Sequence, residues 1–316
     1  MIYIQLIYKI IKNNDKFYIE EKQMKLLTFK YEGKEQIGVL AYDGMSIHAL
    51  SDLGLNYETM NDFITHATET EWVLLKEKTN QKIGKIRLSE IEKRPPIPQP
   101  KQDLICLGIN YMAHAEESAR YKKEAFGGER NHAVYFSKRV NEAVADGNDI
   151  LSHSDIVDSL DYEVELAVII KKDAKNVQKE QAYDYVLGYT IINDVSARSL
   201  QTRHKQWYFG KSLDGFLPMG PWIVTADEIP MPPKLKICSK VNGELRQDAN
   251  TELLIFDIAH VIAELSQGMT LKAGTIIAMG TPAGVGMGFE PPRFLKPGDI
   301  VSCEIEKIGV LTNTIK

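Results

Sequence analysis

Two glutamates lie one residue apart at the start of a strongly apolar segment of this 316-residue chain. Glu163 and Glu165 lead into the run Leu166–Ile170, and alternate side chains of a strand point to the same face. A further carboxylate, Asp194, ends a second apolar segment, YTIIND. Converging carboxylates with no nearby Cys or His offer only oxygen ligands, which suit Mg²⁺, Mn²⁺ or Ca²⁺ better than zinc. The spacing predicts a hard-cation site, and the alternative is a solvated sheet face on which the glutamates pair with lysines.

A histidine and a glutamate stand three residues apart in the segment NYMAHAEE. On a helix, His114 and Glu117 would share one face, where the carboxylate would orient the imidazole and raise its basicity, as a general base requires. His-x-x-Glu pairs are also common on helix surfaces, so the pair alone leaves a catalytic and a surface role open. The polar stretch that follows, SARYKKEAFGGERN, is typical of a mobile loop or lid.

Glycines recur in the segment GTPAGVG, residues 280–286. They allow the backbone to approach a ligand closely, but the spacing does not match a phosphate-binding loop. Taken by itself, the segment favours a hairpin turn.

The composition excludes several classes of protein. The chain has 38 Lys and Arg against 43 Asp and Glu, a formal net charge of −5, which argues against nucleic-acid binding. No apolar run approaches the roughly 20 residues needed to cross a bilayer. The three cysteines contain no C-x-x-C pair, so a disulfide framework is not expected. We therefore expect a cytoplasmic enzyme or small-molecule binder, with neither nucleic acid nor membrane as a partner.

The elements that must position these residues are mostly strands. Short β-branched segments such as ICLGI, VYFSK, YEVELAVII and IVSCEI are bounded by Gly, Pro or Asp. Helical patterns are few; the clearest is FDIAHVIAELSQGM, ending near Gly268, and residues 57–78 also carry a helical apolar face. Strands and helices do not alternate regularly, which disfavours a doubly wound parallel sheet. The pattern predicts an α+β, β-rich fold.

A proline-rich stretch, KRPPIPQPKQ, marks the expected domain boundary near residue 100. It separates a small N-terminal α/β domain, residues 24–95, from a catalytic domain, residues 101–316. Residues 1–23 precede a cleaner strand-like start at Met24 and are interpreted as an extension or a misassigned start.

Taken together, the motifs resemble the fumarylacetoacetate hydrolase superfamily. The matching segments run in order through most of residues 103–314: LGINYxxHAEE, YFSK, DYEVELAVII, GYTIINDVSARSLQ, GKSLDGFLPMGPW, NGELRQ, GTPAGVG and LKPGDIVSCEIEKIG. The resemblance implies a mixed β-roll catalytic domain, usually a homodimer, with a bound Mg²⁺ or Mn²⁺ ion. It also implies that Glu163, Glu165 and Asp194 are the metal ligands. His114 and Glu117 match a pair that activates water in the hydrolases.

The same resemblance assigns roles to four further residues. Lys211 matches a lysine that stabilises negative charge on the substrate oxygen. Arg198 and Gln201 match polar residues that line the site, and Thr281 matches the residue that meets the substrate carboxylate.

These roles imply chemistry on 2-oxo or β-diketo acids through a metal-stabilised enolate. The first expectation is hydrolysis of a C–C bond in an acylpyruvate-like substrate. The alternative is an isomerase, tautomerase or decarboxylase of 2-hydroxyhepta-2,4-dienedioate-like acids or oxaloacetate. A non-catalytic metabolite binder is the most distant alternative, because a binder has no need to keep ligands, base and lysine together. Family membership does not decide among these reactions.

Overall fold

The computed structural model describes residues 24–80, 83–128 and 130–316. The predicted extension, residues 1–23, lies outside the described residues. The strands in chain order are β1 (Lys25–Tyr31), β2 (Lys34–Leu40), β3 (Ser46–Ala49), β4 (Ile86–Arg87), β5 (Glu92–Lys93), β6 (Leu104–Gly108), β7 (Val134–Lys138), β8 (Asp149–Ile150), β9 (Leu160–Asp161), β10 (Val164–Ile170), β11 (Val186–Asn193), β12 (Ser196–Ala197), β13 (Met219–Thr225), β14 (Lys236–Val241), β15 (Glu244–Asn250), β16 (Ile276–Ala278), β17 (Ile300–Ile305) and β18 (Gly309–Ile315). The α-helices are α1 (Met60–His66), α2 (Glu69–Thr79), α3 (Met112–Lys122), α4 (Arg198–Arg203), α5 (Tyr208–Lys211) and α6 (Ile258–Gly268). This content confirms the predicted α+β, strand-rich class.

A large mixed sheet forms the centre of the molecule. Its strands run in the order β4-β3-β2-β1-β13-β11-β10-β16-β6-β7, and β5 pairs with β1. The central strands β10 and β11 are buried along their whole length, which explains their continuous apolar sequences. They pair antiparallel with Val164 opposite Asn193. The start of β10 therefore lies beside the end of β11, so the two predicted carboxylate segments meet.

Alternate residues of β10 face two different cores. Leu166 and Val168 pack in a core shared with strands of the five-stranded sheet β15-β14-β17-β18-β8. Ala167 and Ile169 pack on the opposite face, in a core shared with β1 and α1. Because side chains alternate along a strand, Glu165 belongs to the second face.

The large sheet continues across the proline-rich stretch. Strand β1 pairs antiparallel with β13, with Leu26 opposite Ile223. The N-terminal strands thus extend the sheet that carries β10 and β11. The division into residues 24–95 and 101–316 stays a prediction.

The helices differ from the sequence expectation in two places. Residues 57–78 form two helices, because Ala67 is extended and Thr68 begins α2 with a capping box to Glu71. Helix α3 continues to Lys122, so the first part of the stretch expected to be a loop is helical. Helix α6 ends at Gly268 as predicted. Within the described ranges, no helix is both long and apolar enough to span a bilayer.

Candidate active site

The three predicted metal ligands converge at one buried point. Glu163 directly precedes β10, Glu165 lies within it, and Asp194 directly follows β11. One carboxylate oxygen from each lies within 4.8 Å of the others, and each residue is at most 5% exposed. The expectation that these side chains meet is confirmed. The alternative of a solvated face is wrong because the site is buried, although Glu163 does pair with a lysine, Lys211.

Two buried lysines neutralise part of this carboxylate cluster. Lys211 Nζ lies 2.7 Å from Glu163 Oε2 and 2.6 Å from Asp194 Oδ2. Lys138 Nζ lies 2.7 Å from Asp194 Oδ1 and also donates to the carbonyl of Val195. Asp194 is therefore held between two ammonium groups on β7 and α5.

A buried arginine supports the same cluster from its outer side. Arg198 Nη1 lies 2.7 Å from Glu163 Oε1, and its Nε donates to Asp161 Oδ2 at 2.9 Å. Its Nη1 also donates to Gln201 Oε1. Arg198 Nη2 is buried with no hydrogen-bond partner among the described residues, so it is available to a ligand.

The pKa values of the two glutamates are shifted in opposite directions by their surroundings. Burial raises the pKa of Glu165, and the nearby charges of Asp194 and Glu163 raise it further. Burial also opposes ionisation of Glu163, but the charges of Lys211 and Arg198 outweigh it and hold that pKa well below its usual range. Glu165 therefore needs a proton or a cation, whereas Glu163 stays ionised.

The donor set fits a hard divalent cation. Three buried carboxylates supply oxygen ligands only, as Mg²⁺ or Mn²⁺ prefers. Burial and the neighbouring carboxylates disfavour the ionised form of Glu165, and a bound cation would stabilise that form. Glu163, Glu165 and Asp194 are thus the residues that would hold the ion.

The predicted His–Glu pair is formed and buried on α3. His114 Nδ1 lies 2.9 Å from Glu117 Oε2, while Glu117 Oε1 accepts from the amide of Gly284 at 3.0 Å. A Cβ at Gly288 would come within 1.7 Å of Glu117 Oε1, so glycine makes room for the carboxylate. Because Nδ1 is engaged, Nε2 is the ring nitrogen left for the cavity.

The glycine segment 280–286 organises the acidic side chains through backbone amides. Gly280 donates to Glu165 at 2.8 Å, Gly284 to Glu117, and Gly286 to Asp161 at 2.6 Å. The hairpin interpretation is wrong, because β16 and the next strand, β17, belong to different sheets. The segment acts as a scaffold for the site.

Thr281 is tied into a buried hydrogen-bond chain. Its hydroxyl donates to the carbonyl of Val164 at 2.9 Å and accepts from Gln247 Nε2 at 2.7 Å. Gln247 Oε1 accepts in turn from Ser239 and from the amide of Val164. Gln247 thus links the five-stranded sheet to the start of β10.

One cavity of about 610 Å³ joins these groups. The predicted site residues that line it are His114, Glu163, Glu165, Arg198, Gln201, Lys211 and Thr281. Asp194 is fully buried beneath it, and Glu117 supports His114 from behind. Within one cavity, a base such as His114 can move a proton while the ammonium group of Lys211 stabilises a developing oxyanion.

Sequence reasoning assigned no role to Lys138, Asp161 or Gln247. Each stands in a quoted motif, respectively YFSK, DYEVE and NGELRQ. The only signal in the sequence for Lys138 and Asp161 was their position within or next to a predicted strand. Their partners lie far away in sequence, so spacing could not find them.

Comparison with known proteins agrees with this architecture. The fumarylacetoacetate (FAA) hydrolase C-terminal family matches residues 103–316. Oxaloacetate tautomerase YisK of Bacillus subtilis (strain 168) is 45% identical over 259 residues, 80% of this chain and 82% of the relative. Fumarylacetoacetate hydrolase EaFAH from psychrophilic Exiguobacterium antarcticum superposes with a TM-score of 0.79 at 37% identity, covering 93% of this chain and 99% of that chain.

A second solved structure covers nearly as much of the chain. Maleylpyruvate hydrolase from Sphingobium sp. SYK-6 superposes with a TM-score of 0.71 at 28% identity, covering 92% of this chain and 99% of that chain. Family match, relatives and fold agree with the resemblance that the motifs carry. The chain belongs to the fumarylacetoacetate hydrolase family.

Proposed function

We propose that this protein catalyses the metal-dependent keto–enol tautomerisation of oxaloacetate or a closely related 2-oxo acid. The observation that carries the proposal is the shared cavity, which presents His114, Lys211 and the carboxylate cluster to one ligand. The relative that is 45% identical is named for this reaction.

A divalent cation held by Glu163, Glu165 and Asp194 would stabilise, as a Lewis acid, negative charge on the C2 oxygen of the substrate. Mg²⁺ is the first expectation, with Mn²⁺ or Ca²⁺ as alternatives. The protein's own groups supply the rest of the chemistry.

Tautomerisation moves one proton from C3 to the C2 oxygen, so the base that takes the proton from C3 must afterwards return a proton to the oxygen. His114 is the base that reaches the cavity, and its bond to Glu117 keeps the proton of the neutral ring on Nδ1. Although burial opposes its charge, Lys211 has a raised pKa because of Asp194 and Glu163. It therefore stays an ammonium group that can donate a hydrogen bond to the oxygen as negative charge develops, without losing its proton.

Hydrolysis of an acylpyruvate-like C–C bond is the second candidate. In that reaction, His114 would take a proton from water, which attacks the distal carbonyl. The buried His114–Glu117 pair supports it, and so does the structural likeness to maleylpyruvate hydrolase. Decarboxylation of oxaloacetate would use the same groups without an attacking water.

Proton NMR in D₂O separates these reactions. Oxaloacetate and acetylpyruvate are each incubated with the protein in Mg²⁺ or in EDTA, against Mg²⁺ without protein. We expect faster, protein- and Mg²⁺-dependent keto–enol exchange of oxaloacetate. Pyruvate and acetate from acetylpyruvate, without that exchange, would establish the hydrolase instead. Loss of CO₂ from oxaloacetate would indicate the decarboxylase, and no change in either substrate would leave a metabolite binder.

We also propose a homodimer in the cytoplasm. The family resemblance supports the dimer, and the unpaired cysteines support the location. Light scattering measures the mass in solution; the mass of two chains is expected, and the mass of one chain would contradict the dimer.

A further inference from the structure

The cavity continues outward along one face of α3. His114, Ser118 and Lys122 are spaced four residues apart and all line the cavity, as i, i+4 and i+8 positions of one helical face do. The helical rise places the Lys122 backbone about 12 Å from that of His114 along the axis. The helix that holds the general base therefore also carries an ammonium group at the outer end.

A tryptophan, Trp207, also lines the cavity. The Trp207 ring lies 5.1 Å from that of Phe136, edge to face, and a Cβ at Gly108 would come within 2.2 Å of it. Lys122 Nζ lies 5.7 Å from the centroid of the Trp207 ring, within reach of a cation–π attraction. The ammonium is thus kept over the wall of the cavity.

A second exposed lysine, Lys205, lines the same cavity. The inner cations already pair with buried carboxylates, Lys211 with Glu163 and Asp194, and Arg198 with Asp161 and Glu163. The unpartnered Nη2 of Arg198 belongs to this buried end of the cavity. Within the described ranges, neither Lys122 nor Lys205 forms an ion pair, although Glu124 also lines the cavity.

The geometry points to a substrate with two anionic ends. We propose that Lys122 and Lys205 bind the remote carboxylate of a 2-oxo dicarboxylic acid whose 2-oxo acid end lies at the buried carboxylate cluster. This specificity role rests on the proposed function, which sets the direction of the substrate. A cavity of about 610 Å³ falls in the range that encloses drug-sized ligands, so it has room for acids longer than oxaloacetate.

Isothermal titration calorimetry of the Mg²⁺-loaded protein tests this assignment without turnover. The ligands are matched pairs of equal chain length: 2-oxoglutarate against 2-oxopentanoate, and 2-oxoadipate against 2-oxohexanoate. In the unaltered protein we expect at least one diacid to bind about 10-fold more tightly than its mono-acid, as expected for a charge-assisted contact of about 1.4 kcal/mol.

The double variant Lys122→Met/Lys205→Met should bring that ratio close to one while leaving mono-acid affinity unchanged. Lys123→Met is the matched control, because Lys123 is the next residue but does not line the cavity; it should keep the ratio. Unchanged mono-acid affinity also shows that the double variant is folded.

The proposal is overturned if the unaltered protein binds both members of each pair equally or not at all. It is also overturned if the double variant keeps the ratio. If the unaltered protein prefers diacids and the double variant loses that preference, but the unaltered protein does not tautomerise oxaloacetate, this assignment stands and the proposed reaction is rejected.

Discussion

Glu117 Oε2 accepts from His114 Nδ1 at 2.9 Å, and both residues are 5% exposed. A buried pair on adjacent turns of one helix has little freedom to reorient. The imidazole is therefore held in one tautomer, with Nε2 directed to the substrate side. This relationship makes α3 the element that supplies the base to the cavity.

Removing the base should slow the reaction with little effect on metal binding. For His114→Ala we expect kcat to fall by about 10²–10⁴-fold, the usual contribution of a positioned base. For Glu117→Gln we expect a smaller fall in kcat, because the imidazole of His114 remains but the carboxylate that orients it is gone. Steady-state kinetics measures both, and Mn²⁺ titration of the same variants should give an unchanged Kd.

Gly288→Ala should act through Glu117. Its new Cβ would come within 1.7 Å of Glu117 Oε1 and 2.1 Å of Cδ, so the carboxylate must leave the position in which it accepts from His114. We expect a loss of kcat similar to that of Glu117→Gln. Gly127→Ala, where no atom lies within 4 Å of the new Cβ, is the control; equal losses in both variants would contradict the explanation.

Metal affinity should depend on pH through Glu165. Its pKa is raised by burial and by the charges of Asp194 and Glu163, so the metal-free site retains a proton that the cation must displace. Mn²⁺ affinity should therefore fall as pH drops through that raised pKa, with proton release on binding. Titration calorimetry in two buffers of different ionisation enthalpy measures the release, and heats independent of the buffer would refute it.

Glu165→Gln should remove the contribution of this carboxyl to the pH dependence of stability. A carboxyl whose folded pKa lies above its unfolded value of 4.5 stabilises the fold at low pH, and that contribution is lost as pH rises through the folded pKa. The amide cannot ionise, and its oxygen can still accept from Gly280. At pH 8 without metal, we expect the variant to have an equal or higher Tm. The Tm increase caused by Mn²⁺ should disappear.

Lys138→Met should destabilise the protein by about 3 kcal/mol, the scale on which breaking a buried ion pair acts. Lys138 is fully buried and bonds Asp194 at 2.7 Å, so the variant leaves that charge with less compensation. Denaturant unfolding measures the loss. Saturating Mn²⁺ should recover part of it, and Lys272→Met, at an exposed ion pair with Asp173, should change stability by less than about 1 kcal/mol.

The sequence by itself determined the local features of this protein. Apolar β-branched runs predicted the buried strands, and α6 ends at Gly268 as its pattern indicated. The two-residue spacing placed Glu163 and Glu165 on one face, and the three-residue spacing paired His114 with Glu117. These features depend on the periods of strand and helix, which are properties of neighbouring residues.

Only the tertiary structure decided which distant groups share the site. Strand register brings Asp194 beside the start of β10. Lys138, Lys211 and Gln247 reach the site from β7, α5 and β15, which are distant in sequence from β10. The glycine segment, ambiguous in sequence, takes its role from the carboxylates packed against it. Contacts between residues far apart in sequence depend on register and on packing in the whole fold, and no local period encodes them.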